Sequence, residues 1–257
     1  MSLTTFSVFY YDFEIDSDAY QISFDEGAGE LTADVDFGSY TPTELAVAIK
    51  TAMDATGLLT YTVTFNRADR NFTISSTAAF DLLVSSGASA VKAFSRFGFT
   101  GADLTGLSTY TGGESGDVYF PQFILQDHVS SDNWQSLIKP SVNLTASGQV
   151  EVIRFGVEKF IQMNIKYITD LANAPDGKAI RKNPTGVADL QRFLQFVTLK
   201  KRVEFMPNEL ARSTFQTVLL ETTDKEKDGT GYLLKELYDK GLPNIFETGK
   251  LVWRLIE

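Results

Sequence analysis

Cysteine is absent from this chain of 257 residues. Disulfide frameworks, thiol nucleophiles and thiolate-bound zinc are therefore excluded, and the absence fits a reducing compartment. Histidine is nearly absent: His128 stands alone, so a zinc site built on two or three imidazoles is excluded as well. No apolar run approaches the roughly 20 residues that span a bilayer. The stretch Met1–Tyr10 has neither the basic start nor the apolar core of a secretory signal, which leads to the expectation of a chain without one. Basic residues are scarce at the front: residues 1–116 set 5 Lys and Arg against 15 Asp and Glu, a net of −10, whereas residues 117–257 hold 18 of each. The whole formal charge of −10 thus lies in the first part. Two parts so different in charge predict two modules, an acidic one that faces water or repels a polyanion and a balanced one suited to stacking against its own copies.

What is present is aromatic and patterned: 20 Phe and 10 Tyr favour β-rich packing. Tyr11, Phe13 and Ile15 alternate with acids, and Tyr20, Ile22 and Phe24 repeat the pattern up to a turn at Gly27-Ala28-Gly29. Leu31, Ala33, Val35 and Phe37 then predict the second strand of a hairpin, with Asp34 and Asp36 outward. Thr41-Pro42-Thr43-Glu44 is a capping box with Pro at the first helical position. It predicts a helix over 43–56 with an apolar stripe of Leu45, Ala48, Ile49, Ala52 and Met53 and a left-handed cap at Gly57. Tyr61, Val63 and Phe65, a turn over Asn66–Asn71, then Phe72 and Ile74 form a second hairpin. Phe80, Leu82 and Leu83 are candidates for burial, and Gly87 to Phe97 for a short helix stopped by Gly98. Gly101, Gly106, Gly112, Gly113 and Gly116 among Ser and Thr read as a flexible linker.

Beyond the linker, strands are expected around 119–126, 149–156 and 159–169, then a helix capped by Thr185 with Leu190, Phe193, Leu194 and Val197 on one face. Strands follow at Arg202–Met206, ended by Pro207, at Phe215–Glu221 and at Lys250–Ile256, with a charged turn at 225–229. Leu233, Leu234 and Leu237 fit a short helix that Gly241 and Pro243 would end. The fold class is β-rich α+β: an antiparallel α+β module at 1–116 and a β-sandwich or barrel-like module at 117–257 with one amphipathic helix. Phe155, Phe193, Phe205 and Trp253 are the expected core of the second.

No catalytic, cofactor-binding or metal-binding residues emerge. His128 beside Asp127 is the one imaginable acid–base pair, and a structural or exposed histidine is the better reading. Asp12, Glu14, Asp16 and Asp18 fail as a calcium loop, because Ser17 and Ser23 occupy the sixth and twelfth places that need Gly and Glu; adventitious calcium on such a face stays open. Acids are plentiful enough for glycoside hydrolysis, yet nothing singles out a pair. There is no phosphate-cradling Gly-rich loop and no serine elbow. Asn71-Phe72-Thr73 and Asn143-Leu144-Thr145 match the glycosylation pattern but carry no weight without a secretory signal. The basic groups Lys178, Arg181 and Lys182, then Lys200, Lys201 and Arg202, flank the second helix. In so acidic a chain they read as a solvated or inter-subunit face rather than a phosphate site.

Six segments occur in order: Thr41-Pro42-Thr43-Glu44-Leu45-Ala46, Tyr61-Thr62-Val63-Thr64-Phe65-Asn66, Asn71-Phe72-Thr73-Ile74-Ser75-Ser76, Phe80-Asp81-Leu82-Leu83, Phe97-Gly98-Phe99 and Asp103-Leu104-Thr105-Gly106. This series resembles a module recurrent in tailed-bacteriophage virion proteins, often on tail-associated parts, and the resemblance covers roughly residues 8–112. The second module, through its helix at 186–199, Val203-Glu204-Phe205-Met206-Pro207 and Leu251-Val252-Trp253-Arg254, is similar to the ring-forming domains of phage tail tubes and distal tail proteins. The resemblance implies a non-enzymatic virion component without cofactors. It would be assembled in the host cytoplasm as a ring with copies of itself, commonly hexameric, around the channel that DNA traverses, and would touch neighbouring tail proteins. Two rivals remain. The acidic module is alternatively a tail-tip appendage or adaptor that binds a tail fibre or host-surface glycan, with Tyr10, Tyr11, Tyr40 and Tyr110 as candidate stacking residues. A cell-wall hydrolase would need two carboxylates converging in a cleft.

Overall fold

The computed structural model describes residues 8–119, 134–144, 150–164, 187–199, 201–206, 215–223, 234–237, 241 and 244–256. The protein is β-rich α+β and its chain divides into two compact units. The first is Tyr10–Val118 together with Arg202–Glu204; the second is Met1–Phe9, Tyr119–Lys201 and Phe205–Glu257.

The strands of the front part are β1 (Val8–Tyr11), β2 (Phe13–Ile15), β3 (Gln21–Asp25), β4 (Glu30–Asp34) and β5 (Gly38–Tyr40). Helix α1 (Pro42–Thr56) follows, then β6 (Tyr61–Asn66), β7 (Asn71–Leu82), a 3₁₀ turn at Phe94–Phe97, β8 (Leu104–Thr111) and β9 (Asp117–Tyr119). The first unit holds a five-stranded sheet in which the order β4-β3-β7-β6 is joined by β8 on β7, and a smaller pair of β2 and β5. Both expected hairpins form: β3 and β4 pair antiparallel from Gln21↔Asp34 to Asp25↔Glu30, and β6 and β7 from Tyr61↔Ser76 to Asn66↔Asn71. Asp25 closes the first turn, its carboxylate accepting from the amides of Gly27 and Gly29 at 2.7 and 3.0 Å. The capping box of α1 is complete, with the Thr41 hydroxyl accepting from the Glu44 amide at 3.2 Å and the Glu44 carboxylate from the Thr41 amide at 2.9 Å. Leu45, Ile49 and Met53 bury one stripe of α1. The core beneath is aromatic, with Phe24, Tyr61, Phe80 and Tyr110 in successive edge-to-face contacts at 5.7, 5.2 and 5.1 Å.

Four local expectations change here. Tyr11 to Asp16 is not one strand, because Asp12 takes φ 65° and separates β1 from β2; an aspartate tolerates this left-handed region better than most residues. Gly57 is extended (φ −91°, ψ 178°) rather than left-handed. Glycine is needed there for space, since a Cβ would overlap the Glu26 carboxylate and lie 3.2 Å from Phe24. Only Phe94–Phe97 of the expected Gly87–Phe97 helix is helical, and Gly98 does stop it at φ 81°. The glycine-rich stretch is not a slack linker: β8 pairs with β7, and its Tyr110 hydroxyl donates to the Phe80 carbonyl at 2.7 Å. Its glycines permit close backbone approach, because a Cβ on Gly112 would lie 2.8 Å from the Phe97 carbonyl and one on Gly98 or Gly116 would overlap Gly113 or the Phe13 ring.

The remaining elements are β10 (Trp134–Leu144), β11 (Val150–Asn164), α2 (Val187–Thr198), β12 (Val203–Met206), β13 (Gln216–Thr223), β14 (Lys235–Glu236), β15 (Phe246–Glu247) and β16 (Lys250–Ile256). The second unit is organised on a seven-stranded sheet of order β10-β11-β16-β13-β12-β1-β9, to which β1 gives Val8 and Phe9, β9 gives Tyr119, and β12 gives Phe205 and Met206. The pairs β10–β11, β11–β16 and β13–β16 are antiparallel. The expected strands at 149–156 and 159–169 are one strand as far as Asn164, and β10 opposite it went unpredicted. Pro140 interrupts the β10 pattern and marks a register shift in the pairing; a proline cannot donate to the ladder. Residues 234–237 are not helical, since β14 pairs with β15 and the Leu237 amide donates to the Ile245 carbonyl at 2.7 Å. Helix α2 buries Leu190, Phe193, Leu194 and Val197 as its spacing predicts. Phe9 lies at the centre of this core, 4.7 Å from Phe205, 4.9 Å from Phe193 and 5.0 Å from Trp253. Phe193, Phe205 and Trp253 are thus core residues as expected, while the side chain of Phe155 lies outside the described residues.

Candidate functional site

An open groove of about 610 Å³ lies in the first unit, between α1 and the end of β4. Its helical wall is Glu44, Val47, Ala48, Thr51, Ala52 and Ala55, which fall at i, i+3, i+4, i+7, i+8 and i+11 and so share one face. That face borders the stripe of Leu45, Ile49 and Met53 buried against the sheet. Ala48 and Ala52, expected in the buried stripe, line the groove instead and are half-buried. Val47 remains 58% exposed. The opposite wall is Asp34, Asp36 and Tyr40.

The groove is anionic. Asp34 accepts from the Gln21 side-chain amide at 2.8 Å, and among the described residues no cation pairs with Asp34 or Asp36. Glu44 pairs with Arg202 at 2.8 Å while capping α1. The Tyr40 hydroxyl donates to the Asp36 carbonyl at 2.6 Å. Its pKa is raised, first by burial and then by the negative charges of Asp36 and Glu44. Carboxylates in this setting accept hydrogen bonds and attract cations, and the hydroxyls of Tyr40, Thr43 and Thr51 share the groove lining with them.

A buried ion pair anchors the helix start. Glu204 is fully buried, and Arg67 meets it with Nε at 2.6 Å and Nη2 at 2.8 Å from its two oxygens. Thr43 donates to Glu204 at 3.3 Å and accepts from Arg67 at 2.8 Å. A bidentate guanidinium–carboxylate pair fixes geometry as well as charge. At the other end of α1, Glu26 accepts from the amides of Leu58 and Leu59 at 2.8 and 3.1 Å and from the Tyr61 hydroxyl at 2.8 Å. Burial alone would raise the Glu26 pKa, but these three donors outweigh it and hold the carboxyl below its ordinary value.

His128 and Asp127 lie outside the described residues, as do Lys178, Arg181, Lys182 and Lys200. Lys201 sits over the Phe196 ring at 4.9 Å. The acids at 12–18 do not converge: Asp16 accepts from the amides of Asp18 and Ala19 and pairs with Arg96 at 2.8 Å, and among the described residues no group of acids fit for a metal is found. The four candidate stacking tyrosines part company. Tyr10, Tyr11 and Tyr110 are buried and only Tyr40 reaches the groove. The groove itself went unrecognised because Asp34 and Asp36 read as a solvated strand face. The available signal was the alanine series Ala48, Ala52 and Ala55, too small to fill the helical face it occupies. Comparison with protein-family models and with curated proteins finds no match for this chain.

Proposed function

We propose that this chain is a non-enzymatic structural component of a bacteriophage virion, forming an oligomeric ring in the tail or the tail tip around the DNA channel. The observation that carries the reading is the ordered series from Thr41-Pro42-Thr43-Glu44 to Asp103-Leu104-Thr105-Gly106, because it is the series that resembles the virion module. Two further features support it. Residues 117–257 are charge-balanced, with 18 basic and 18 acidic residues, as suits a surface that stacks on copies of itself. The net charge of −10 suits a passage that must not grip phosphates. The test is electron microscopy of the purified full-length protein, with light scattering at low micromolar concentration. Rings with a central hole are expected, and a strictly monomeric protein in solution and in virions rejects the reading. If opposite charges join the copies, raising the salt concentration dissociates the rings.

A second reading, an adaptor that binds a tail fibre or host-surface glycan, is favoured by the open groove beside α1. The burial of three of the four tyrosines weakens its glycan form.

A further inference from the structure

We infer that the groove between α1 and the end of β4 is a docking site for an extended, cationic polypeptide segment of a partner protein, added as a strand along β4. The inference does not depend on the ring reading. Three features of the groove point to this occupant. First, β4 ends its sheet order and pairs with β3 alone among the described strands. The outer edge of such a strand presents backbone donors and acceptors that an incoming strand satisfies. Second, the facing wall is small and weakly apolar. Ala48, Ala52 and Ala55 leave room for a second backbone, and exposed Val47 offers an apolar contact to alternate side chains. A volume of about 610 Å³ falls in the range of preformed ligand pockets. Third, the charge is of one sign. Asp34 and Asp36 line the groove without cationic partners among the described residues, and residues 1–116 as a whole hold 15 acids to 5 bases. An acidic segment would be repelled, whereas lysine or arginine at alternate positions meets carboxylates on the side that faces them. The helix wall is held at both ends, by the Glu204–Arg67 pair and by Glu26, so the site is preorganised and binding orders little protein.

The test uses the full-length protein and three fluorescein-labelled octapeptides in which valine alternates with lysine, glutamate or serine. Fluorescence anisotropy reads affinity and hydrogen exchange reads location. The lysine peptide is expected to bind saturably, to protect amides over 30–36 and 47–55, and to bind about tenfold more tightly than the glutamate peptide at low salt. Ala48→Trp, which fills the groove, abolishes binding. The exposed substitution Asp36→Lys, which leaves the core untouched, weakens the lysine peptide severalfold and strengthens the glutamate peptide. The inference is overturned by an absence of saturable binding, by equal binding of all three peptides, by protection outside the groove, or by protection of the groove with oligosaccharides and not with peptides.

Discussion

Replacing Arg67 with methionine isolates the energetics of the buried pair in the first unit. Glu204 is wholly inaccessible, and Arg67 supplies both of its short hydrogen bonds, at 2.6 and 2.8 Å. Among the described residues, Arg67→Met therefore leaves the buried carboxylate with the Thr43 hydroxyl at 3.3 Å as its one remaining side-chain partner. Breaking one side of such a pair costs about 3–5 kcal/mol, whereas replacing both sides with apolar residues is often close to neutral. Arg67→Met is thus expected to cost at least about 3 kcal/mol, and Arg67→Met with Glu204→Leu to recover most of it. Both tryptophans, Trp134 and Trp253, belong to the second unit, so their fluorescence reports on that unit alone. Hydrogen exchange over the first turn of α1 and the β6–β7 turn reports on the first. A loss of 3 kcal/mol appears there as a rise of about two powers of ten in the exchange of amides that open with the unit. A single variant costing less than about 1 kcal/mol, or a double variant no better than the single, refutes the argument.

Three other perturbations follow from the geometry. Gly57→Ala pushes a Cβ into the Glu26 carboxylate and is expected to destabilise the first unit by about 1–3 kcal/mol in urea unfolding; Glu26→Ala in the same chain relieves the overlap, so the two losses should not add. Glu26 and Asp54 both have pKa values below the ordinary ones. For each, burial acts upward but is outweighed, at Glu26 by the amides of Leu58 and Leu59 with the Tyr61 hydroxyl, and at Asp54 by Lys50 and the Tyr61 amide. Their contribution is complete above the unfolded pKa and drains away as pH falls through the folded one, so Glu26→Gln should flatten the acid limb of a stability–pH curve by lowering stability at pH 7 while leaving it little changed below the folded pKa. Gly98→Ala combines φ 81° with a clash against the Gly113 backbone and is expected to lower the melting temperature, whereas Gly101→Ala, also at positive φ but in open space, should lower it less.

Legibility from sequence followed the range of the forces involved. The capping box of α1, the two hairpins and α2 are written in neighbours three or four residues apart, or in strict alternation, and these were readable. The misread positions depend on distant partners. Gly57 looks like a helix cap until Glu26, far away in the chain, is seen filling the space beside it. Gly112, Gly113 and Gly116 look like slack until the 3₁₀ turn and Phe13 are found against them. Pro140 lies within β10, and the strand pairs with β11 by shifting register around it. The groove escaped notice for the same reason, since its walls come from β4, β5 and α1 and no short window contains them.

Consider what the pairing of Arg67 with Glu204 means for modular exchange between genes. The first unit draws Arg202–Glu204 from a point 84 positions after its own stretch ends at Val118. A recombination that lifts out residues 10–118 alone would deliver a guanidinium to its new host without the carboxylate that matches it. Successful transfers of this unit should therefore carry both stretches, or arrive with Arg67 already replaced by an uncharged residue.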